Sequence, residues 1–108
     1  MQNNIYIKED ITKKLLNNNR FRYSSFLSSK DETIYTYRFP VYKYRNASIV
    51  ECELMLLSEV NELRIKVYNT NTREDYVPFY YCEYGKNLVV EKINNKIQKE
   101  LFKLGVAV

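Results

Sequence analysis

The sequence predicts an α+β fold, in which an antiparallel four- to five-stranded β-meander carries a short N-terminal helix and a longer C-terminal helix packed on one face. Two patterns predict it. Apolar and polar residues alternate with the period of a strand through most of residues 33–82, and apolar residues recur at helical spacing after residue 88. The length of 108 residues predicts one domain spanning residues 1–108.

Two helices are predicted near the ends of the chain. The stretch "EDITKKLLNNN" begins with acidic residues, which favour a helix N-terminus, and it turns Ile11, Leu15 and Leu16 inward. The second helix runs from about Leu88 to Leu104, and Gly105 suits its left-handed C-cap. Its apolar stripe consists of Val89, Val90, Ile93, Ile97, Leu101 and Leu104.

Residues 4–8 predict a short strand, and four further strands are expected between residues 33 and 82. The second of these four buries Val50, Cys52, Leu54 and Leu56. The third buries Leu63, Ile65 and Val67, and presents Arg64, Lys66 and Tyr68 to solvent. The fourth, "YVPFYYC", contains Pro78, which cannot donate a ladder hydrogen bond, so an edge strand is expected there.

The first of the four strands contains "TYRFPVYKYR", in which aromatic and basic residues alternate. The alternation changes phase at Pro40. A β-bulge at Pro40–Val41 restores one aromatic face, with Tyr37 and Tyr42 on the same side, before a three-residue loop. The pattern therefore predicts rings in the core and cations in solvent, rather than a stack of rings and cations facing a ligand.

The residues do not predict an enzyme, a metal site or a cofactor. The chain has no histidine, and its two glycines cannot form a phosphate-binding loop. Glu51 and Glu53 are predicted to form cross-strand charge pairs with Arg64 and Lys66. The two cysteines, Cys52 and Cys82, lack metal-ligand spacing and are predicted to be free thiols.

The leading hypothesis for function is a small non-enzymatic module that docks on a protein partner. The outer face of the last predicted hairpin carries Arg64, Tyr68, Tyr76 and Tyr80, and tyrosine and arginine are enriched in interface hot spots. The edge strand containing Pro78 also suggests a homo-oligomer.

The alternative hypothesis is a nucleic-acid-binding module. Four lysines at i, i+4, i+7 and i+11 line one side of the last helix, where they could follow a phosphate backbone. The residues assigned to this function are Arg38, Lys43, Arg45, Lys92, Lys96, Lys99 and Lys103. The formal net charge of +4 and the pI of about 9.0 are compatible with a polyanion.

Composition also suggests a source and a location. The 11 tyrosines contrast with only two glycines and two prolines, a usage that AT-rich codons favour and that indicates a phage or mobile element of a low-GC bacterium. The longest apolar run, "LMLL", is too short to cross a bilayer, and the N-terminus does not resemble a signal peptide. A cytoplasmic protein without membrane contact is expected.

Overall fold

A computed structural model of the chain describes residues 4–81 and 87–106, with only the backbone of Tyr81. It has an α+β fold, with a five-stranded antiparallel sheet, a short N-terminal helix and a longer C-terminal helix, which confirms the predicted fold class. The elements are β1 (Asn4–Tyr6), α1 (Glu9–Leu16), β2 (Arg22–Tyr23), β3 (Ile34–Tyr44), β4 (Ala47–Leu57), β5 (Glu62–Asn69), α2 (Val77–Tyr81) and α3 (Leu88–Lys103).

The strand order of the sheet is β1-β5-β4-β3-β2. Strands β2 to β5 therefore form a meander, and β1 joins it beside β5, with Ile5 opposite Leu63. At the other edge, β2 pairs with β3 through Tyr23 opposite Tyr35 and Arg22 opposite Thr36.

The contacts of the chain fall into two compact units. The N-terminal unit comprises Gln2–Arg38 and Glu53–Lys66, and the C-terminal unit comprises Phe39–Cys52 and Val67–Val108. Strands β3, β4 and β5 contribute residues to both units. The fully buried side chains of the N-terminal unit include Leu15, Leu54, Leu56 and Leu63, and those of the C-terminal unit include Val50, Cys52, Val67, Ile93, Ile97 and Leu101.

The helix α3 begins at the predicted Leu88 and ends at Lys103, one residue before the predicted end, and both of its ends are capped. The Asn87 side chain accepts hydrogen bonds from the N–H groups of Val89 and Val90, at 2.9 and 3.2 Å. At the other end, Gly105 has φ +80° and donates to Phe102, and the N–H of the next residue bonds to the carbonyl of Leu101. This pair of bonds is a Schellman motif, so Gly105 fills the left-handed position that glycine tolerates best.

The buried face of α1 differs from the prediction at one residue. Leu15 is buried as expected, whereas Leu16 is 38% exposed, and Thr12 is buried in its place. Thr12 lies three residues before Leu15, so the two side chains share one helix face. The hydroxyl of Thr12 bonds to the Lys8 carbonyl at 3.4 Å, which allows a polar residue to be buried there.

The predicted bulge at Pro40–Val41 is wrong. Strand β3 runs without interruption, and burial alternates through Pro40, with Phe39 and Val41 buried and Tyr42 only half-buried. Val41 therefore occupies the core position that the bulge would have given to Tyr42. Pro40 is tolerated because β2 pairs with β3 only at residues 35 and 36, and an unpaired strand edge needs no donor. The loop to β4 has two residues rather than three, and both have positive φ.

The predicted fourth strand of the meander is also wrong. Residues Val77–Tyr81 form the helix α2, with Pro78 in its first turn, where the missing N–H has no intrahelical partner to lose. The segment is held against β5 by side chains, because Phe79 is buried and the Tyr80 hydroxyl accepts a hydrogen bond from Val67 N–H at 2.9 Å. The prediction of a homo-oligomer was based on an edge strand at Pro78, and the structure has a helix there instead.

Candidate functional site

An open cleft of about 580 Å³ lies in the N-terminal unit, beside the edge strand β2. We call it the arginine cleft, and it is lined by Asn19, Arg20, Arg22, Tyr23, Ser24, Thr36, Tyr37 and Arg38. Three of these residues carry guanidinium groups, and no Asp or Glu is among the described residues that line the cleft. The cleft is therefore a concentration of positive charge next to aromatic rings.

Local backbone bonds place the arginines at the cleft. After α1 the chain turns sharply, because Asn18 accepts hydrogen bonds from Arg20 N–H through its side chain and from Phe21 N–H through its carbonyl, at 2.9 and 3.1 Å. The turn leads directly into β2, where Arg22 lies opposite Thr36. Consecutive strand residues point to opposite faces, so a cleft lined by both Arg22 and Tyr23 lies along the edge of the strand.

Arg38 is fixed in the cleft by a buried carboxylate. Its Nε lies 2.6 Å from Glu53 Oε2, and the Glu53 side chain is only 8% exposed. A buried carboxylate is costly unless it is paired and hydrogen-bonded, so the pair holds the Arg38 side chain in one orientation. Arg38 lies on the strand before Glu53, so it is a partner that the sequence did not predict; the predicted pairing of Glu53 with the following strand stays a prediction.

Two tyrosines contribute rings to the cleft in different ways. Tyr37 is half-buried and packs edge-to-face against Phe21, with ring centroids 5.7 Å apart, and Arg20 Cζ lies 6.0 Å from its ring centroid. Tyr23 is 59% exposed and meets Tyr35 edge-to-face at 5.9 Å. Tyr37 is thus part of the wall, and Tyr23 is an exposed ring at the rim.

The structure does not present the predicted protein-docking residues as one exposed surface. Tyr68 was expected in solvent but is 2% exposed, and its hydroxyl donates to Glu51 Oε1 at 3.0 Å. Tyr80 is half-buried against β5, and this burial raises the pKa of its hydroxyl. Tyr76 is also half-buried, and its N–H donates to Val67 O.

Arg64, the fourth predicted docking residue, lies in the N-terminal unit and is engaged by carboxylates. Its Nε donates to Glu62 Oε1 at 2.8 Å, and Glu32 lies 4.0 Å from Nη1. The hydrogen bond to Glu62 is the main reason why the pKa of Arg64 is raised.

All four lysines of the predicted stripe on α3 are exposed, but a glutamate partly neutralises them. Glu100 is buried at the border between the lysines and the apolar stripe, and it lies 3.8 Å from Lys96 and 3.6 Å from Lys103. Lys92 and Lys99 are the other two lysines of the stripe. The stripe belongs to the C-terminal unit, and so do the exposed residues Lys43 and Arg45.

Sequence reasoning found Arg38 but missed three other main residues of the cleft, Arg20, Arg22 and Tyr23. The stretch "NRFRYS" carries the relevant signal, because it alternates basic and aromatic residues as the stretch around Arg38 does. Its strand is only two residues long and pairs with β3 across a loop of ten residues, so no local pattern brings the two stretches together.

Other chemistries have less support in the part of the chain that the structure describes. Within residues 4–81 and 87–106, no group of three His, Cys, Asp or Glu side chains could hold a metal ion. None of the described helices combines the length and hydrophobicity that a bilayer crossing requires. Cys52 is a free, buried thiol, and Cys82 lies outside the described residues. Comparison of the chain with protein-family models, with curated proteins and with solved structures gives no match.

Proposed function

We propose that the protein is a non-enzymatic module that binds nucleic acid through the arginine cleft. The observation that carries the proposal is the convergence of Arg20, Arg22 and Arg38 on one cleft that no described carboxylate lines. Arginine offers a planar fork of donors that matches phosphate oxygens, and its charge persists at every physiological pH.

The surroundings of the cleft support a polyanion rather than a simple anion. The volume of about 580 Å³ falls within the range of roughly 300–1,000 Å³ that is typical of ligand pockets. The rings of Tyr23 and Tyr37 lie beside the guanidinium groups, and basic grooves with aromatic side chains are typical of nucleic-acid-binding proteins. The net charge of +4 adds a favourable long-range field.

Docking on a protein partner remains a hypothesis for this chain, now without its predicted surface. Tyr68 is buried and Tyr80 is bonded to β5, so neither ring is available to a partner in this conformation. The lysine stripe is the second nucleic-acid candidate. Glu100 contacts its Lys96 and Lys103, just as Glu53 contacts Arg38 at the cleft, so the cleft is preferred for its shape and its neighbouring rings rather than for freedom from carboxylates. The composition of the chain supports a phage or mobile-element source and a cytoplasmic location as parts of the same proposal.

The test is a salt titration of binding to labelled mixed-sequence DNA and RNA, followed by fluorescence anisotropy. The cleft variant is Arg20→Gln/Arg22→Gln, and the matched control is Lys92→Gln/Lys99→Gln; each removes two positive charges from exposed positions. We expect the cleft variant to lose about tenfold or more in affinity. Its slope of log K against log salt should flatten by roughly 1.4, because each lost phosphate contact on a single strand contributes about 0.7.

The control should bind almost as the unmodified protein does, and circular dichroism should show that both variants are folded. The proposal is overturned if the unmodified protein binds neither DNA nor RNA at low salt. It is also overturned if the lysine control loses as much affinity as the cleft variant, since the binding would then follow total charge rather than the cleft.

A further inference from the structure

We infer that the arginine cleft binds single-stranded rather than duplex nucleic acid, with Tyr23 as the residue on which an unpaired base stacks. This inference rests on the proposed function and adds the class of ligand and the role of one residue.

Tyr23 is an exposed ring that the structure nevertheless holds in place. It is 59% exposed, although it lines the cleft. Its backbone pairs with Tyr35 in the sheet, and its ring meets the Tyr35 ring at 69° with centroids 5.9 Å apart. An aromatic ring fixed before binding loses little conformational entropy when a ligand packs on it.

Two hydrogen bonds of Ser24, the residue after Tyr23, fix this edge of the sheet further. Ser24 N–H donates to Ile34 O at 2.9 Å, which continues the β2–β3 pairing by one residue. The Ser24 hydroxyl also accepts from Leu27 N–H at 3.2 Å, so the chain turns away immediately after the cleft. Tyr23 therefore stands at the end of a short strand with open space beside it.

Stacking on a protein ring requires a base whose face is free. In a duplex both faces of each base are covered by neighbouring base pairs, whereas a single strand can splay its bases onto aromatic side chains. Every base has such a face, so this kind of site tolerates many sequences. Arg22 is the neighbour of Tyr23 in the chain, and it can bind the phosphate of the nucleotide whose base stacks.

The chain offers a matched control for the ring. Tyr44 is 57% exposed, lies at the end of β3 and also has an arginine nearby, with Arg45 Cζ 5.4 Å from its ring centroid. It belongs to the C-terminal unit and does not line the cleft. Loss of affinity from Tyr23→Leu but not from Tyr44→Leu therefore reports on the cleft, rather than on exposed tyrosines in general.

The experiment measures binding of one oligonucleotide sequence as a single strand and as a duplex, and of a fully abasic single strand of the same length, all at the same low salt. We expect the unmodified protein to prefer the single strand by about tenfold or more. Tyr23→Leu should weaken single-strand binding by between about fivefold and 150-fold, the range that loss of one base–aromatic stack produces. Tyr23→Phe and Tyr44→Leu should change it less than threefold or so on the same scale.

The abasic strand should bind the unmodified protein and Tyr23→Leu equally, because it keeps its phosphates and has no base to stack. Equal affinity for duplex and single strand would overturn the inference, and so would an unchanged affinity in Tyr23→Leu. If Arg20→Gln/Arg22→Gln weakens binding while Tyr23→Leu does not, this inference fails and the proposed function stands. If no oligonucleotide binds, the proposed function itself fails.

Discussion

Buried carboxylates explain much of the charge pattern at the scale of single residues. Glu53, Glu62 and Glu100 are all buried, and each lies next to a cation on its own or a neighbouring element. A buried carboxylate without a partner is strongly destabilising. Several cations that a binding hypothesis would use are therefore needed for the fold, Arg38 among them.

Tyr68 gives a prediction at this scale, because its burial reverses the expectation from the sequence. Tyr68→Ser should lower the free energy of unfolding by about 3–5 kcal/mol, as truncation of a buried aromatic ring does. Tyr68→Phe removes the hydroxyl that bonds to Glu51 and keeps the ring. It should lower the free energy of unfolding by about 1–2 kcal/mol, since Glu51 is half-buried and regains some hydration. Urea denaturation followed by circular dichroism measures both.

The control is Tyr44→Ser, which truncates an exposed tyrosine and should change the free energy of unfolding by about 0.5 kcal/mol or less. If Tyr68→Ser and Tyr44→Ser unfold at the same urea concentration, the Tyr68 ring is not part of the core and the predicted solvent face is restored.

At the scale of elements, the sequence predicted those whose pattern is long and regular. The bounds of α3 and the buried faces of β4 and β5 follow from periodic apolar residues, with Val50, Cys52, Ile65 and Val67 all buried as expected. The helix α2 could not be predicted in this way, because "VPFYY" has only five residues and is rich in β-favouring aromatics. Its helical state depends on tertiary contacts such as that between Tyr80 and β5.

The C-cap of α3 gives a prediction for an element. Gly105 has φ +80°, and a Cβ placed on it would meet no atom within 4 Å, so Gly105→Ala is penalised by backbone strain alone. We expect it to lower the free energy of unfolding by about 1–2 kcal/mol. Gly105→Asn should lower it by less, because asparagine adopts the left-handed conformation more readily.

Thermal denaturation of the two variants provides the measurement, and helical content from circular dichroism shows whether α3 stays intact. A Gly105→Ala variant that melts at the temperature of the unmodified protein would contradict the Schellman cap. A larger loss in the asparagine variant than in the alanine variant would indicate that side-chain size, rather than φ, decides the effect.

At the scale of the whole molecule, the pairing of distant segments is what the sequence did not reveal. Strand β1 pairs with β5, from which it is separated by more than fifty residues of sequence. Strand β2 has only two residues, too few for a sequence pattern that would indicate its partner strand. The cleft depends on the second of these pairings, so the sequence predicted one of its three arginines, Arg38, and could not predict its shape. By contrast, the order of β3, β4 and β5 follows from loops of two and four residues, which leave neighbouring strands little choice.

Cooperativity gives the last prediction. One domain was expected from the length, and β3, β4 and β5 each contribute to both compact units, so we expect the units to unfold together. Cys52 is fully buried in the C-terminal unit, and its thiol can report on that unit's opening in a Cys82→Ser background. Thr12, which is 3% exposed, provides the equivalent position in the N-terminal unit when Thr12→Cys is combined with Cys52→Ala and Cys82→Ser.

Thiol labelling of the two proteins at increasing urea measures the free energy of opening at each position. If unfolding is cooperative, each thiol should be protected from labelling by about 10³-fold or more in water. The free energy of opening at each thiol should then equal the free energy of global unfolding that circular dichroism gives for the same variant. Both should fall with the same urea dependence, because the same surface is exposed. The Thr12→Cys thiol could instead be labelled at least tenfold faster than global unfolding allows, at a rate that depends little on urea. That result would show that the N-terminal unit opens by itself. The chain would then be two cooperative units joined by shared strands, and the arginine cleft would belong to the less stable one.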